Sequence, residues 1–166
     1  MKNSILIPVD GSEASLDAAR LAINLASGLG LGLVALRVID VDRYASEFEA
    51  VRETVTKELE AHAKKILEEV SRLAADGGAS IETHMRHGDS SREIIRLAQE
   101  NQEIVLIVMG AAGRRRLARQ MIGSTAERVV RQVGRDLPCP VTIVPSIAAQ
   151  PEARIKIRFS PPSASR

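Results

Sequence analysis

The chain is poor in aromatic residues, cysteine and long apolar runs. Its 166 residues include no tryptophan, one tyrosine and two phenylalanines. The core must therefore be aliphatic, and base stacking on an aromatic surface is disfavoured as a mode of binding nucleic acid. The single cysteine, Cys139, excludes an intramolecular disulfide and a zinc site built from several cysteines. Because Cys139 lies between Pro138 and Pro140, just before an apolar segment, we expect it to be a small buried hydrophobic residue.

The lack of a long apolar run also bears on location. No segment approaches the roughly 20 apolar residues that a membrane-spanning helix needs. The first residues enter a strand pattern directly, without the features of a signal peptide. We therefore expect a cytoplasmic protein with no membrane partner.

Charge is distributed unevenly along the chain. The net charge is +2, but residues 146–166 hold four basic residues against Glu152, so this segment carries +3 and the remaining body −1. A nearly neutral body argues against a general nucleic-acid-binding function.

Five short apolar segments with strand character alternate with four segments of helical periodicity. The predicted strands are Ser4–Asp10, Leu33–Ile39, Ile81–Arg86, Ile104–Met109 and Val141–Val144. The predicted helices are one that begins after Ser12 and ends at Gly28–Gly30, one over Ser46–Ala75, one capped by Asp89 or Ser90, and one whose apolar residues are Ile122, Ala126, Val129, Val130 and Val133. This alternation predicts an α/β fold with a parallel sheet covered on both faces.

A five-stranded, doubly wound sheet in the order 3-2-1-4-5 is the predicted topology. We assign residues 1–145 to this α/β domain. Residues 146–166, rich in proline and serine, are predicted to form a disordered tail. As an alternative, Arg154–Phe159 alternates basic and apolar residues like a strand and could extend one edge of the sheet.

The segment with most functional information follows the fourth predicted strand. It reads Gly110-x2-Gly113-x9-Gly123-Ser124 and links a strand end to a helix start. In the predicted topology it lies beside Asp10-Gly11-Ser12, at the switch point where doubly wound sheets bind ligands. Such a glycine pattern favours a loop that holds phosphate groups with backbone N–H groups. The alternative is an ordinary strand-to-helix turn with a glycine-rich hinge.

Two common nucleotide motifs are missing. There is no G-x4-G-K-[ST] sequence, which excludes a P-loop protein. The run from Gly28 to Gly32 imitates a dinucleotide fingerprint, but Leu33 stands where a third glycine would be needed. It also follows a predicted helix, so we interpret it as a helix-to-strand turn.

Two further groups in this region admit alternatives. Four arginines lie between the glycines: Arg114, Arg115, Arg116 and Arg119. Three interpretations are open for them, namely a solvated loop face, a triphosphate clamp and a surface that binds RNA or a protein partner. Asp10 either contacts a ligand or caps the first helix. A phospho-accepting role for Asp10, as in receiver domains, is disfavoured because no lysine follows the last strand and no acidic pair precedes Asp10.

The chain resembles the universal stress protein family over residues 2 to about 145. The resemblance rests on Ile5–Ser12, Leu36–Asp40, Gly88-Asp89, Ile107–Gly110, the Gly110–Ser124 pattern and Cys139–Pro145. It implies a Rossmann-like fold of the kind predicted above. It also implies ATP binding, because the ATP-binding members of that family carry the same glycine pattern.

The resemblance further implies individual roles at the site. Asp10 and the backbone of Val38 would recognise adenine and its surroundings, while Pro8, Met109 and Gly110 would line the adenosine pocket. Gly113, Gly123, Ser124 and Thr125 would hold the phosphates. Arg114 would join them if the arginines form the triphosphate clamp. A magnesium ion would be held through the phosphates, not by protein side chains. Family members often have polar residues between the first two glycines, whereas this chain has Ala111 and Ala112.

The expected function is therefore that of a nucleotide-dependent regulatory or binding module in a stress response. No general base is evident near the terminal phosphate and no catalytic residue is assigned, so any ATP hydrolysis should be slow. The resemblance also implies a homodimer formed through the edge strand Val141–Val144, as well as an unidentified protein partner. The alternatives are a nucleotide-free dimeric scaffold and an adenylate-forming enzyme, although the S-G-G-x-D-S sequence of such enzymes is missing after the first strand.

Overall fold

The fold is a single parallel sheet with helices between its strands. A computed structural model describes residues 3–41, 49–111 and 122–145. In chain order its elements are β1 (Ser4–Pro8), α1 (Glu13–Leu29), β2 (Gly32–Ile39), α2 (Glu49–Asp76), β3 (Ile81–His87), α3 (Ser90–Glu100), β4 (Ile104–Gly110), α4 (Ser124–Val130) and β5 (Val141–Val144). The alternation predicted from the sequence is confirmed.

All four strand pairings are parallel, and the strand order is β3-β2-β1-β4-β5. This is the predicted doubly wound order. β1 lies at the centre between β2 and β4, while β3 and β5 form the two edges. The chain turns from one half of the sheet to the other between β1 and β4, which creates a switch point at the carboxyl edge.

The core consists of two aliphatic layers, one on each face of the sheet. Successive side chains of a strand point to opposite faces, so Ile5 and Ile7 pack with α1 and α2, whereas Leu6 packs with α3 and α4. All three side chains are fully buried. The helices therefore cover both faces, as the near-continuous apolar pattern of the strands predicts.

The last helix differs from the prediction. The sequence pattern suggested a helix carrying an apolar stripe from Ile122 to Val133, but α4 spans only seven residues. The helix ends at Val130. The chain then turns at Gly134, whose φ is +77°, and the residues on either side of this turn, Val133 and Leu137, form an isolated β-bridge. Ile122, Val130 and Val133 are 51%, 41% and 44% exposed instead of packing on the sheet.

Cys139 behaves as predicted, because its side chain is buried. Burial raises the pKa of the Cys139 thiol, which keeps it protonated and poorly reactive. Within the described part of the chain, no helix combines the length and apolarity required to span a membrane. The tail at 146–166 lies outside the described residues, so the proposed domain boundary stays a prediction.

Candidate functional site

The candidate site lies at the carboxyl edge of the sheet, where β1 and β4 end side by side. The helix after β1 packs on one face of the sheet and the helix after β4 packs on the other. Two helices on opposite faces after neighbouring strands define a switch point, where doubly wound sheets have a ligand crevice. Of the sequence-predicted residues, Pro8 ends β1 and Gly110 ends β4, while Asp10 follows β1 and Gly123 directly precedes α4.

The turn between β1 and α1 is tightly organised. Oδ1 of Asp10 accepts a hydrogen bond from the Ser12 N–H at 2.9 Å, and Gly11 adopts a φ of +78° between them. The Ser12 side chain caps α1 by accepting from the Ser15 N–H at 3.2 Å. The structure thus supports the structural role considered for Asp10, since one carboxylate oxygen orders the turn. The same bond holds the carboxylate at the mouth of the crevice.

The backbone of Val38 faces this crevice. The Leu36 carbonyl accepts a hydrogen bond from the Val9 N–H at 2.9 Å, so it points toward β1. Peptide groups two residues apart along a strand point to the same side. The N–H and C=O of Val38 therefore also point toward the β1 side, just beyond the last residue of β1. The Val38 carbonyl accepts a bond from Nη1 of Arg37 at 2.9 Å. The side chain of Val38 is buried in the core, so only its backbone is available at the crevice.

Gly110 has a packing role that the sequence did not reveal. A Cβ atom at this position would lie 2.7 Å from the backbone carbon of Ala14, 2.8 Å from the Ser15 nitrogen and 2.9 Å from the Ala14 oxygen. The end of β4 therefore touches the first turn of α1 backbone to backbone. A glycine is required here for close packing within the protein, whether or not a ligand is bound.

The two ends of the predicted phosphate loop are joined to each other. Ala111 donates its N–H to the Val144 carbonyl at 2.7 Å, and its own carbonyl accepts the N–H of Gly123 at 2.6 Å. Gly123 is buried and precedes α4, which begins with the exposed Ser124 and the half-buried Thr125. Residues 112–121 between these ends, which include Gly113, Arg114 and the other three arginines, lie outside the described residues.

The remaining predicted residues are less accessible. Pro8, the last residue of β1, is half-buried and lies opposite Leu36. Met109 is buried and packs with the α3 and α4 side of the core. Met109 therefore belongs to the core beneath the crevice and exposes little of its own surface. Within residues 3–41, 49–111 and 122–145, no cluster of three or more histidine, cysteine or carboxylate side chains could hold a metal ion.

Asp89 was predicted only as a helix cap, and the structure adds a contact. Oδ1 accepts the Arg92 N–H at 3.0 Å and the Ser91 hydroxyl, as expected for the N-cap of α3. Oδ2 pairs with Nη1 of Arg128 on α4 at 3.2 Å. Partial burial acts to raise the pKa of Asp89, but the Ser91, Arg92 and Arg128 donors outweigh it and lower that pKa. The sequence signal is weak, because 39 residues separate the two partners.

This lowered pKa predicts an acid-sensitive contribution to stability. The folded-state pKa of Asp89 lies below its unfolded value, so its contribution is complete above the unfolded pKa and is lost as the pH falls through the folded pKa. Asp89→Asn should therefore lower the urea midpoint at pH 7, and the difference from wild type should shrink by pH 3. Urea titrations of both proteins at the two pH values measure this. A difference of the same size at both would contradict the prediction.

Known proteins resemble this chain in sequence and in fold. Residues 1–145 match the model of the universal stress protein family. A universal stress protein of Methanocaldococcus jannaschii is 36% identical over 141 residues, covering 84% of this chain and 80% of the relative. The universal stress protein UspA from Lactobacillus plantarum superposes with a TM-score of 0.74 at 31% identity, over 86% of this chain and 97% of that one.

A third relative, the universal stress protein from Archaeoglobus fulgidus solved in complex with dAMP, has the same fold. Its TM-score is 0.62 at 18% identity, over 87% of this chain and 98% of that one. The family resemblance noted in the sequence thus holds over the whole described domain. The chain belongs to the universal stress protein family.

Proposed function

We propose that this chain binds ATP and acts as a nucleotide-dependent regulatory or binding module in a cytoplasmic stress response. The observation that carries the proposal is the hydrogen-bonded junction of Ala111 with Gly123, beside the Asp10 turn. It brings both ends of an intact Gly110–Ser124 pattern to the switch-point crevice. The dAMP complex of the Archaeoglobus fulgidus relative offers a precedent for an adenine nucleotide on this fold.

The donor groups at the crevice fit such a ligand in two parts. The Asp10 carboxylate and the Val38 backbone, with Pro8, Met109 and Gly110, would hold the adenosine end. Ser124 and Thr125, with Gly113 and Arg114, would hold the phosphates through N–H, hydroxyl and guanidinium donors. Gly123, whose own N–H is bonded to Ala111, would let the phosphates approach the backbone closely. A magnesium ion bound through the phosphates would neutralise part of their charge.

The proposed role is binding more than catalysis. No residue assigned to the phosphate end is a carboxylate or histidine suited to act as a general base. We therefore propose that hydrolysis is slow and that ATP instead stabilises one conformation of the loop between Gly113 and Gly123. A ligand that favours one conformation changes the surface that a protein partner meets.

A nucleotide-free scaffold is the second candidate. The Arg37 guanidinium bonds to the Val38 carbonyl and so occupies an acceptor that the base would otherwise use. Ala111 and Ala112 also remove side-chain donors from the loop. These features would weaken nucleotide binding without disturbing the fold.

Nucleotide content and affinity test the proposal directly. Mass spectrometry of an extract of the purified protein should detect adenine nucleotide, and calorimetry with magnesium should give an ATP dissociation constant in the micromolar range. Gly113→Val should abolish ATP binding by blocking close approach of the phosphates. A wild-type protein that binds no ATP would favour the scaffold.

Asp10→Asn tests the adenosine end. The amide oxygen can still accept the Ser12 N–H, so the turn should survive, whereas the charged contact to the ligand is lost. Because hydrogen bonds to charged groups contribute about 1.5–3 kcal/mol, we expect ATP and adenosine affinity to fall by about tenfold or more. The urea midpoint of Asp10→Asn serves as its control. Equal affinity in the variant would remove Asp10 from the site.

We also propose a homodimer formed through β5. The two edges of the sheet differ in character, since β3 presents Glu82, His84, Arg86 and His87, whereas β5 is the uncharged sequence Val-Thr-Ile-Val. Charged side chains protect an edge strand from pairing, and an uncharged apolar edge invites it. Val130 at the end of α4 and Val133 just after it are further exposed apolar side chains.

A further inference from the structure

Asp89 lies at the start of α3 and contacts the last turn of α4. Its Oδ1 accepts the Arg92 N–H at 3.0 Å and so caps α3, while its Oδ2 pairs with Nη1 of Arg128 at 3.2 Å. One carboxylate thus connects the start of α3 to α4. The same carboxylate also accepts the Ser91 hydroxyl, so its orientation is already fixed before Arg128 binds.

Arg128 lies one helical turn after Ser124, the first residue of α4. α4 has only seven residues, and Ala126 and Val129 are its buried side chains. Its start is joined to the sheet through the 2.6 Å bond between Gly123 and Ala111. A bond from this short helix to the capped start of α3 restricts how the helix can rotate.

We propose that the Asp89–Arg128 pair holds α4 in place through its last turn and thereby sets the affinity of this helix for the phosphate groups without touching them. This inference rests on the proposed ATP-binding function. Because the cap already orients Asp89, only the Arg128 side chain loses conformational freedom when the pair forms. Both residues act as positioning residues, since they hold the segment that carries Ser124 and Thr125.

The expected effect is modest. The Arg128 side chain is 65% exposed, and exposed ion pairs are weak. We therefore expect loss of the pair to weaken ATP binding by about two- to fivefold and not to abolish it. Adenosine affinity should stay unchanged, because the adenosine end depends on Asp10, in the turn after β1, and on Val38 in β2.

The helix itself offers a matched control. Arg131 is on the same helix end and 74% exposed, but it pairs with Glu127 at 2.7 Å within its own turn. Arg131→Gln removes the same charge from the same region without breaking the bond to α3. Asp89→Asn keeps an acceptor for the α3 cap, since asparagine is an equally good N-cap, and removes the charge that pairs with Arg128.

The experiment compares wild type, Arg128→Gln, Asp89→Asn, the double variant and Arg131→Gln by calorimetry with ATP and with adenosine. Arg128→Gln and Asp89→Asn should each weaken ATP binding two- to fivefold. The double variant should show no further loss, because both changes break one contact. Arg131→Gln should bind both ligands like wild type.

Two calorimetric outcomes would overturn the inference. Equal ATP affinities in Arg128→Gln and Arg131→Gln would show that the pair does nothing for the site. Weaker binding in Arg128→Gln together with tighter binding in Asp89→Asn would mean that Arg128 contacts phosphate directly once it is released from Asp89.

Hydrogen exchange separates this inference from the proposed function. Without nucleotide, the amides of residues 124–130 should exchange faster in Arg128→Gln and Asp89→Asn than in Arg131→Gln. A wild-type protein that binds no ATP but shows this pattern refutes the proposed function and retains the positioning role. Equal exchange rates in all variants refute the positioning role, whatever the ATP affinity.

Discussion

Gly110→Ala should lower the free energy of unfolding by about 3 kcal/mol, at the upper end of the usual cost of overpacking a core. The added Cβ would meet three backbone atoms of Ala14 and Ser15 at 2.7–2.9 Å. Backbone atoms cannot rotate away as a side chain can, so β4 and α1 would have to separate. Since native domains are stable by only about 5–15 kcal/mol, this loss would be large.

Urea unfolding at 25 °C measures the effect, with Gly30→Ala as the matched control. Gly30 caps α1 at a φ of +69°, and no atom lies within 4 Å of an added Cβ. Gly30→Ala should cost only about 1 kcal/mol, the strain of a left-handed conformation. Equal losses in the two variants would show that β4 and α1 separate easily and that Gly110 has no special packing role.

Ile143→Pro should raise the dimer dissociation constant by about a hundredfold or more. The carbonyls of Pro140 and Val144 accept bonds from the β4 side, at 3.0 Å from Ile107 N–H and 2.7 Å from Ala111 N–H. Peptide groups alternate along a strand, so the N–H of Ile143 points to the outer edge. A two-fold dimer would lose this donor twice, once from each copy.

Ile143→Ala is the control for this experiment. Both variants lose the partly buried isoleucine side chain, but alanine keeps the N–H that would pair across the dimer. Sedimentation of each protein over a range of concentrations should show dimers for wild type and Ile143→Ala, and monomers for Ile143→Pro. A wild type that is monomeric throughout, or an Ile143→Pro dimer as tight as the control, would refute pairing through β5.

The strands show why the sheet could be predicted so fully from the sequence. Ile5, Leu6 and Ile7 are consecutive apolar residues, and all are fully buried because helices cover both faces. Such runs arise only in sheets covered on both sides, and the intervening helical segments leave parallel connection as the simple solution. The predicted caps at Ser12 and Asp89 are confirmed for the same local reason, since a cap depends on residues within one turn.

The length of the last helix and the packing of Gly110 could not be predicted from the sequence. The periodicity of Ala126, Val129, Val130 and Val133 suits a helix, but α4 ends at Val130, and both Val130 and Val133 are exposed. Gly110 was explained by close approach of a ligand, whereas the atoms nearest to its would-be Cβ belong to α1. Both outcomes depend on what lies opposite in space, which periodicity does not encode.

The sequence by itself determined the order of elements, the two-sided burial of the strands and the glycine pattern at the end of β4, because these follow from residue spacing within short segments. Only the tertiary structure decided that Gly110 packs on α1, that Ala111 bonds to Gly123, and that Asp89 pairs with Arg128 across 39 residues. Each of these contacts joins segments that are distant in the chain. Their partners are chosen by how the strands and helices pack, so no local pattern could have specified them.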